Sequence, residues 1–175
     1  EDKEFVFGAC AGGALYRMEM LREIGLFDED FFLIYEDVDL SFRAQLMGYK
    51  CAYVPEAKVF HRAGSSIVRD SPTSVYYGHR NLEWVYLKNM PSSLIRKSCI
   101  FHLNYDFFSF LYFTAMGLGM PFVKAKLDAF RGLPGMLRKR RLIQKDRRVP
   151  DERIWRLLDK ERLSSRLGMR RSHSR

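Results

Sequence analysis

Glu36, Asp37 and Asp39 stand together behind an aromatic loop, Phe27-Asp28-Glu29-Asp30-Phe31-Phe32, at the start of a stretch with helical spacing. Leu40, Ala44 and Met47 fall on one face of that stretch, which puts the three acids in the first turn, where the helix dipole favours negative charge. A carboxylate so placed can face a cleft and act as a general base. Ordinary solvated charge at a helix start is the other reading. A calcium loop counted from Asp28 fails, because Phe32 and Leu33 fall where an oxygen ligand and a glycine are required. Upstream, Gly12-Gly13 lets the backbone turn or approach a ligand closely. Arg43 can reach phosphate oxygens or pair with Asp39 at i, i+4.

The elements that must carry these residues follow from pattern. Residues 5–10 read as a short buried strand, and residues 15–24 as a helix with Leu15, Met18, Leu21 and Ile24 three apart and Gly25 at its end. A second helix covers 36–47, stopped by Gly48. Two short β segments, 50–54 and 57–61, flank Pro55-Glu56 and lead into a polar loop from Gly64. Beyond residue 67 the pattern is helical: 75–89 forms an amphipathic helix with an aromatic face, ending at Met90-Pro91. Residues 98–123 are strongly apolar. Their uncharged part, 107–123, sits at the lower limit for a membrane span, and Asn104, Asp106 and Pro121 argue instead for an in-plane or partly inserted hairpin. Residues 151–163 can form one more helix.

Hydrophobic residues make up 47% and charged residues 29%, enough to build a core and to exclude wholesale disorder. The net charge of +9 is confined to the end: residues 138–175 carry 15 basic and 5 acidic side chains, and the rest is near neutral. Three cysteines without a CxxC argue against a disulfide framework or a cysteine zinc site and fit a reducing compartment. Cys10, Cys51 and Cys99 read as small, largely buried residues. His79, His102 and His173 lack metal-like spacing and read as packing or solvated residues. The chain opens with Glu1 and is expected to be the back part of something longer.

Taken in order, Gly12-Gly13, Arg17, Gly25-Leu26-Phe27-Asp28-Glu29, Phe31-Phe32, Glu36-Asp37-Val38-Asp39-Leu40, Arg43, Gly48 and His61 closely resemble the acceptor-side half of family 2 inverting glycosyltransferases. Bacterial rhamnosyltransferase-like and galactofuranosyltransferase-like members look nearest. The resemblance covers residues 5–66. It is weaker over 67–145, where Tyr76-Tyr77, Arg80-Asn81 and Lys88-Asn89-Met90-Pro91 look like the helical extension of these enzymes.

The resemblance implies an α/β fold, the C-terminal part of a GT-A domain followed by amphipathic, membrane-associating helices. It divides the chain into 1–66, the acceptor-side half of the catalytic domain, 67–137, the helical extension, and 138–175, a basic tail. It makes Asp37 the catalytic base, with Glu36, Gly12, Gly13 and Arg43 binding substrate. His61 becomes a candidate ligand for a divalent metal, magnesium or manganese, that neutralises the departing nucleotide diphosphate. The expected partners are a nucleotide-diphosphate sugar and a glycan or lipid-linked acceptor, in cell-surface polysaccharide synthesis.

The family's nucleotide-binding βαβ units and Asp-x-Asp motif precede the region present here, so the isolated chain is expected to bind donor poorly and turn over little. The apolar hairpin beside the basic end suits an anionic membrane surface and a place on the cytoplasmic membrane face, peripheral or partly inserted. The basic end carries no nucleic-acid module, and no nucleic-acid partner is expected. A different class remains open: a non-catalytic membrane-docking or interaction module retaining a remnant of such a domain.

Overall fold

The computed structural model describes residues 4–60 and 68–159. These residues are mostly helical. Strand β1, Phe5–Val6, pairs antiparallel with β2, Cys51–Ala52, and between them lie α1, Met18–Ile24, and α2, Glu36–Leu46. Then come α3, Pro72–Asn89, α4, Ser92–Ala115, α5, Gly119–Asp146, and α6, Asp151–Asp159.

The strands are shorter than the sequence pattern predicts. Each has two residues, and 57–60 form no strand and are exposed. What holds this part is α2. Gln45 on its buried face donates to the Phe7 carbonyl at 2.8 Å, and Phe7 packs edge-on against Phe42 with ring centroids 4.7 Å apart. Gly8 has no room for a side chain, since a Cβ there would lie 2.2 Å from the Ser41 hydroxyl. The segment leading to Gly12 is thereby drawn onto α2.

Helix α3 starts at Pro72, three residues before the expected Val75, because Ser71 and Ser74 form a reciprocal capping box; its stop at Met90-Pro91 is the one the sequence indicates. Its partner is α5, whose facing side is built from Ala125, Ala129 and Gly132. A Cβ at Gly132 would lie 2.5 Å from the Trp84 ring, and the Trp84 indole donates to the Ala129 carbonyl at 3.0 Å. Small residues every three or four positions let the two backbones approach closely. The core gathers Phe31, Phe42, Leu46, Trp84, Val85, Met90, Met136 and Ile154.

The apolar stretch forms the hairpin α4–α5, turned at Gly117 with φ of 75°. Pro121 lies in the first turn of α5, where a missing N–H costs nothing. Helix α4 is not amphipathic: Phe101, Leu103, Phe107, Phe108 and Leu111 all lie exposed, on different sides of it, and Leu94 is its one fully buried side chain. No helix among the described residues is long and apolar enough to cross a membrane.

Three sequence expectations need correction. The boundary at 137/138 falls inside α5, which runs unbroken to Asp146. Lys139 and Arg140 belong to the folded body: Lys139 pairs with Asp28 and Asp30, and Arg140 caps the end of α3 through the Leu87 and Met90 carbonyls. Cys10 and Cys99 are exposed and only Cys51 is half-buried, because β1 leads directly into an open loop and Cys99 sits on the solvent side of α4.

Candidate functional site

The loop before α2 is bent against its own preference. Phe32, Ile34 and Tyr35 have φ of 58°, 65° and 72°, in the left-handed region that side chains other than glycine avoid. Each such residue costs on the order of 1–3 kcal/mol and persists only where its surroundings enforce it. Enforcement comes from α3. Asn81, fully buried, shares its side-chain N–H groups among the carbonyls of Phe31, Leu33 and Ile34 at 2.7–2.9 Å. Its own oxygen accepts from Arg80, which also donates to the Asp30 and Phe31 carbonyls and lies 4.2 Å from the Trp84 ring. Phe31 is fully buried against Trp84. A strained turn pinned on both sides thus delivers Glu36 and Asp37 at the start of α2.

The other acids of the same motifs are consumed by the fold. Asp39 is fully buried and meets Arg43 at 2.9 Å, Lys88 at 2.7 Å and Asn89 at 2.8 Å. Lys88, also buried, reaches on to Asp28 at 2.6 Å, and Asp28 meets Lys139 at 2.6 Å. Burial alone would raise the Asp28 carboxyl, but hydrogen bonds from Lys139 and Lys88 pull it down to about 2. The chain of charges ties α2, α3 and α5 together.

Arg43 belongs to this set. Besides Asp39, its guanidinium donates to the carbonyls of Ile24 at 2.6 Å, Gly25 at 3.1 Å and Leu26 at 2.7 Å. It therefore holds the end of α1 to α2, and its donors are spent there rather than on phosphate. The pairing alternative is the one realised.

Asp37 and Glu36 point the other way. Asp37 is half-buried and its Oδ2 accepts from the Ala11 N–H at 3.2 Å, which places the carboxylate beside the exposed backbone of Gly12 and Gly13. Its Oδ1 accepts from the Val38 N–H at 2.8 Å, in the first turn of α2. Glu36 Oε2 is buried with no hydrogen-bond partner among the described residues. Neither carboxylate makes a salt bridge among those residues. The Tyr16 hydroxyl is likewise buried and unpartnered there; burial first, then the charge of Asp37, pushes it up and keeps it protonated. The result is one half-buried carboxylate, Asp37, set against the exposed Ala11–Gly13 backbone, with Glu36 beside it in the first turn of α2.

His61 lies outside the described residues. Among those described, one trio of metal-type ligands converges, Glu83, His102 and Asp106, on α3 and α4. It does not suit a metal. The Lys126 ammonium contacts Glu83 and lies 2.6 Å from Asp106, supplying the positive charge a metal would bring, and His102 stacks flat on Tyr86 at 4.1 Å. This trio fastens the hairpin to α3.

Sequence reasoning singled out Asp37, Glu36 and the glycine pair; the structure sets Asp37 against the Ala11 N–H, one residue before that pair. It missed the roles of Asn81, Lys88 and Tyr16. Arg80-Asn81 and Lys88-Asn89 stood out only as a resemblance; a lysine and asparagines on the buried face of an amphipathic helix were the signal that something upstream needed partners. Tyr16 carried no such signal.

Comparison with known proteins adds three findings. The family model described as "Glycosyl transferase family group 2" matches residues 4–123. The chain is 35% identical over 85 residues to N-acetylglucosaminyl-diphospho-decaprenol L-rhamnosyltransferase from two strains of Mycobacterium tuberculosis, a match spanning 49% of this chain and 26% of those relatives. No solved structure matches it significantly.

Proposed function

The chain belongs to glycosyl transferase family group 2, and on that premise we propose that it forms the acceptor side of a GT-A enzyme that transfers a sugar with inversion. The donor is a nucleotide-diphosphate sugar and the acceptor a glycan or lipid-linked sugar, for cell-surface polysaccharide. The observation that carries this reading is the state of Asp37: Asp28 and Asp39 of the same motifs are locked in ion pairs, whereas Asp37 meets the Ala11 N–H from the first turn of α2.

In this reading Asp37 takes the proton of the acceptor hydroxyl. The oxygen then attacks the anomeric carbon, and the bond from that carbon to the diphosphate breaks with its electrons leaving on the nucleotide diphosphate. One in-line displacement inverts the sugar. Glu36 orients the acceptor, and the glycine pair gives it close approach. A divalent metal, magnesium or manganese with His61 as candidate ligand, rests on the family resemblance alone; such an ion would offset charge on the leaving diphosphate.

The test is Asp37→Asn in the full-length protein. Transfer should fall sharply while donor affinity stays at the wild-type value; unchanged transfer overturns the assignment.

A second reading is favoured by a separate observation, the aromatic surface of α4. Exposed Phe101, Phe107, Phe108 and Tyr112, with exposed Lys124 at the start of α5, suit an anionic membrane interface, as expected at the cytoplasmic membrane face. In its strong form the chain docks and does not catalyse. Salt-sensitive binding to anionic liposomes in preference to RNA supports docking, and the reverse preference refutes it. Docking without any transferase activity in the full-length protein selects the strong form.

A further inference from the structure

Four buried side-chain polar atoms have no hydrogen-bond partner among the described residues: Tyr16 Oη, Glu36 Oε2, His79 Nδ1 and Asn89 Oδ1. Two of them belong to packing. His79 lies among Tyr105, Phe113 and Phe122, where burial and then the Lys126 cation lower it to about 4, so it brings no charge into that apolar place. Asn89 spends its side-chain N–H on Asp39 inside the ionic lattice. The other two fall at the candidate site, and they are opposite in kind: a phenol offers a proton, and a carboxylate oxygen accepts one.

The chain turns Tyr16 inward. Ala14 and Arg17 are extended, with ψ of 144° and 129°, and Leu15 and Arg17 are exposed on either side of the half-buried Tyr16. Side chains alternate along extended backbone, so Tyr16 points to the body while its neighbours point to solvent. Its ring rests edge-on against Phe27 with centroids 5.9 Å apart, in the loop whose Gly25 and Leu26 carbonyls Arg43 holds. Burial raises the phenol first, then the charge of Asp37, with Cys51, Cys10 and Glu36 after it, so the hydroxyl keeps its proton. Among the described residues one hydrogen bond joins the Ala11–Tyr16 stretch to α2, that of the Ala11 N–H to Asp37. A ligand that takes Asp37 can part this lightly held stretch from the helix and reach both unpaired atoms.

An unpaired donor near an unpaired acceptor is completed by a group that is both. A hydroxyl accepts from the phenol and donates to Glu36. An ammonium has no lone pair for the phenol, and a diphosphate has no proton for Glu36 and is repelled by two carboxylates without salt bridges. The hydroxyl so held is not the one that reacts. That one gives its proton to Asp37, and a phenol donating to the same oxygen would draw on the lone pair that must attack.

We propose that Tyr16 is a specificity-determining residue: with Glu36 Oε2, its phenol reads a second hydroxyl of the acceptor, next to the one that Asp37 deprotonates. The acceptor is then a saccharide with two neighbouring hydroxyls, and a site built to bond the second one rejects the analogue that lacks it. This rests on the transferase reading above and adds to it a residue that the family resemblance does not single out.

The experiment measures binding to the full-length protein of methyl N-acetylglucosaminide, methyl galactoside and methyl mannoside, then of the monodeoxy analogues of the tightest. Tyr16→Phe removes one oxygen and keeps the ring on Phe27, and it should weaken the parent glycoside about tenfold. One monodeoxy analogue should change by less than about twofold, because it already lacks the hydroxyl that the phenol reads. The melting temperature should not fall, since the phenol has no partner within the described fold to lose. An equal loss for the parent and every analogue overturns the assignment, as does wild-type affinity throughout or no binding of any parent to the wild type. A lowered melting temperature with unchanged binding also overturns it, marking a phenol that bonds within the fold. Each of these leaves the transferase reading standing if Asp37→Asn still loses its rate, whereas full transfer in Asp37→Asn overturns both.

Discussion

Asp37 and Asp39 stand two residues apart on one helix, and each carboxylate finds a different environment. Asp39 is fully buried and surrounded by Arg43, Lys88 and Asn89; Asp37 is half-buried and touches only backbone N–H groups among its described hydrogen-bond partners. A shift of two residues turns a side chain about 200° around a helix, so one acid faces α3 and the other faces the Gly12–Gly13 loop. The contrast teaches how the site is assembled: a dense ionic lattice on one face of α2 fixes the helix, and a strained turn above it presents Asp37 on the other.

The sharpest way to break this comparison is to change the two acids separately. Asp37→Asn in the full-length protein should reduce transfer by about 10²–10⁴-fold, the range of a lost general base, with thermal stability within error of wild type. Asp39→Ala should do the reverse in kind. It removes the buried carboxylate that Arg43 and Lys88 share, leaving them Asp28 and the α1-end carbonyls, and should cost about 3–5 kcal/mol in denaturant unfolding. If the two variants lose stability equally, the division of α2 into a working face and a holding face is wrong.

Asn81→Ala tests the link between the faces. Removing the donor to three carbonyls should cost about 1–3 kcal/mol and also slow transfer, because the turn through Phe32, Ile34 and Tyr35 loses its brace. Loss of stability with full activity would show that the turn holds its shape unaided.

Acid sharpens the contrast further. Asp28 titrates at about 2 in the folded protein, below the ~3.9 of an unfolded chain. A depressed carboxyl contributes stability that is complete above about pH 4 and disappears as the pH falls through about 2. Unfolding free energy should fall across that window, and Lys139→Ala should flatten the fall. The smallest effect is expected at the surface: Arg131 pairs with Asp128 while 72% exposed, and Arg131→Ala should leave the melting temperature unchanged.

Much of this was legible in one dimension. The helix starting at Glu36, its stop near Gly48, the capped helix ending at Met90-Pro91 and the apolar hairpin all follow from periodicity, caps and breakers, which act over three or four residues. The same local rules put Glu36 and Asp37 at a helix N-terminus. They failed where distant partners decide. The strand at Cys51 is shorter than its β-type composition suggests, its pairing partner being two residues long, and residues 57–60 form no strand. The basic run from Arg138 looked like a tail and is the middle of a helix, since Lys139 and Arg140 have acids and carbonyls waiting on other elements.

The sequence by itself determined which residue types are present at the helix start and that a helix would hold them there, because dipole and spacing are local properties. Only the tertiary structure decided which acid stays free. Asp39 meets Asn89 across 50 positions, Lys88 meets Asp28 across 60 and Lys139 meets Asp28 across 111. No local pattern encodes such pairings; packing α2 against α3 and α5 brings these charges together and leaves Asp37 facing the glycines.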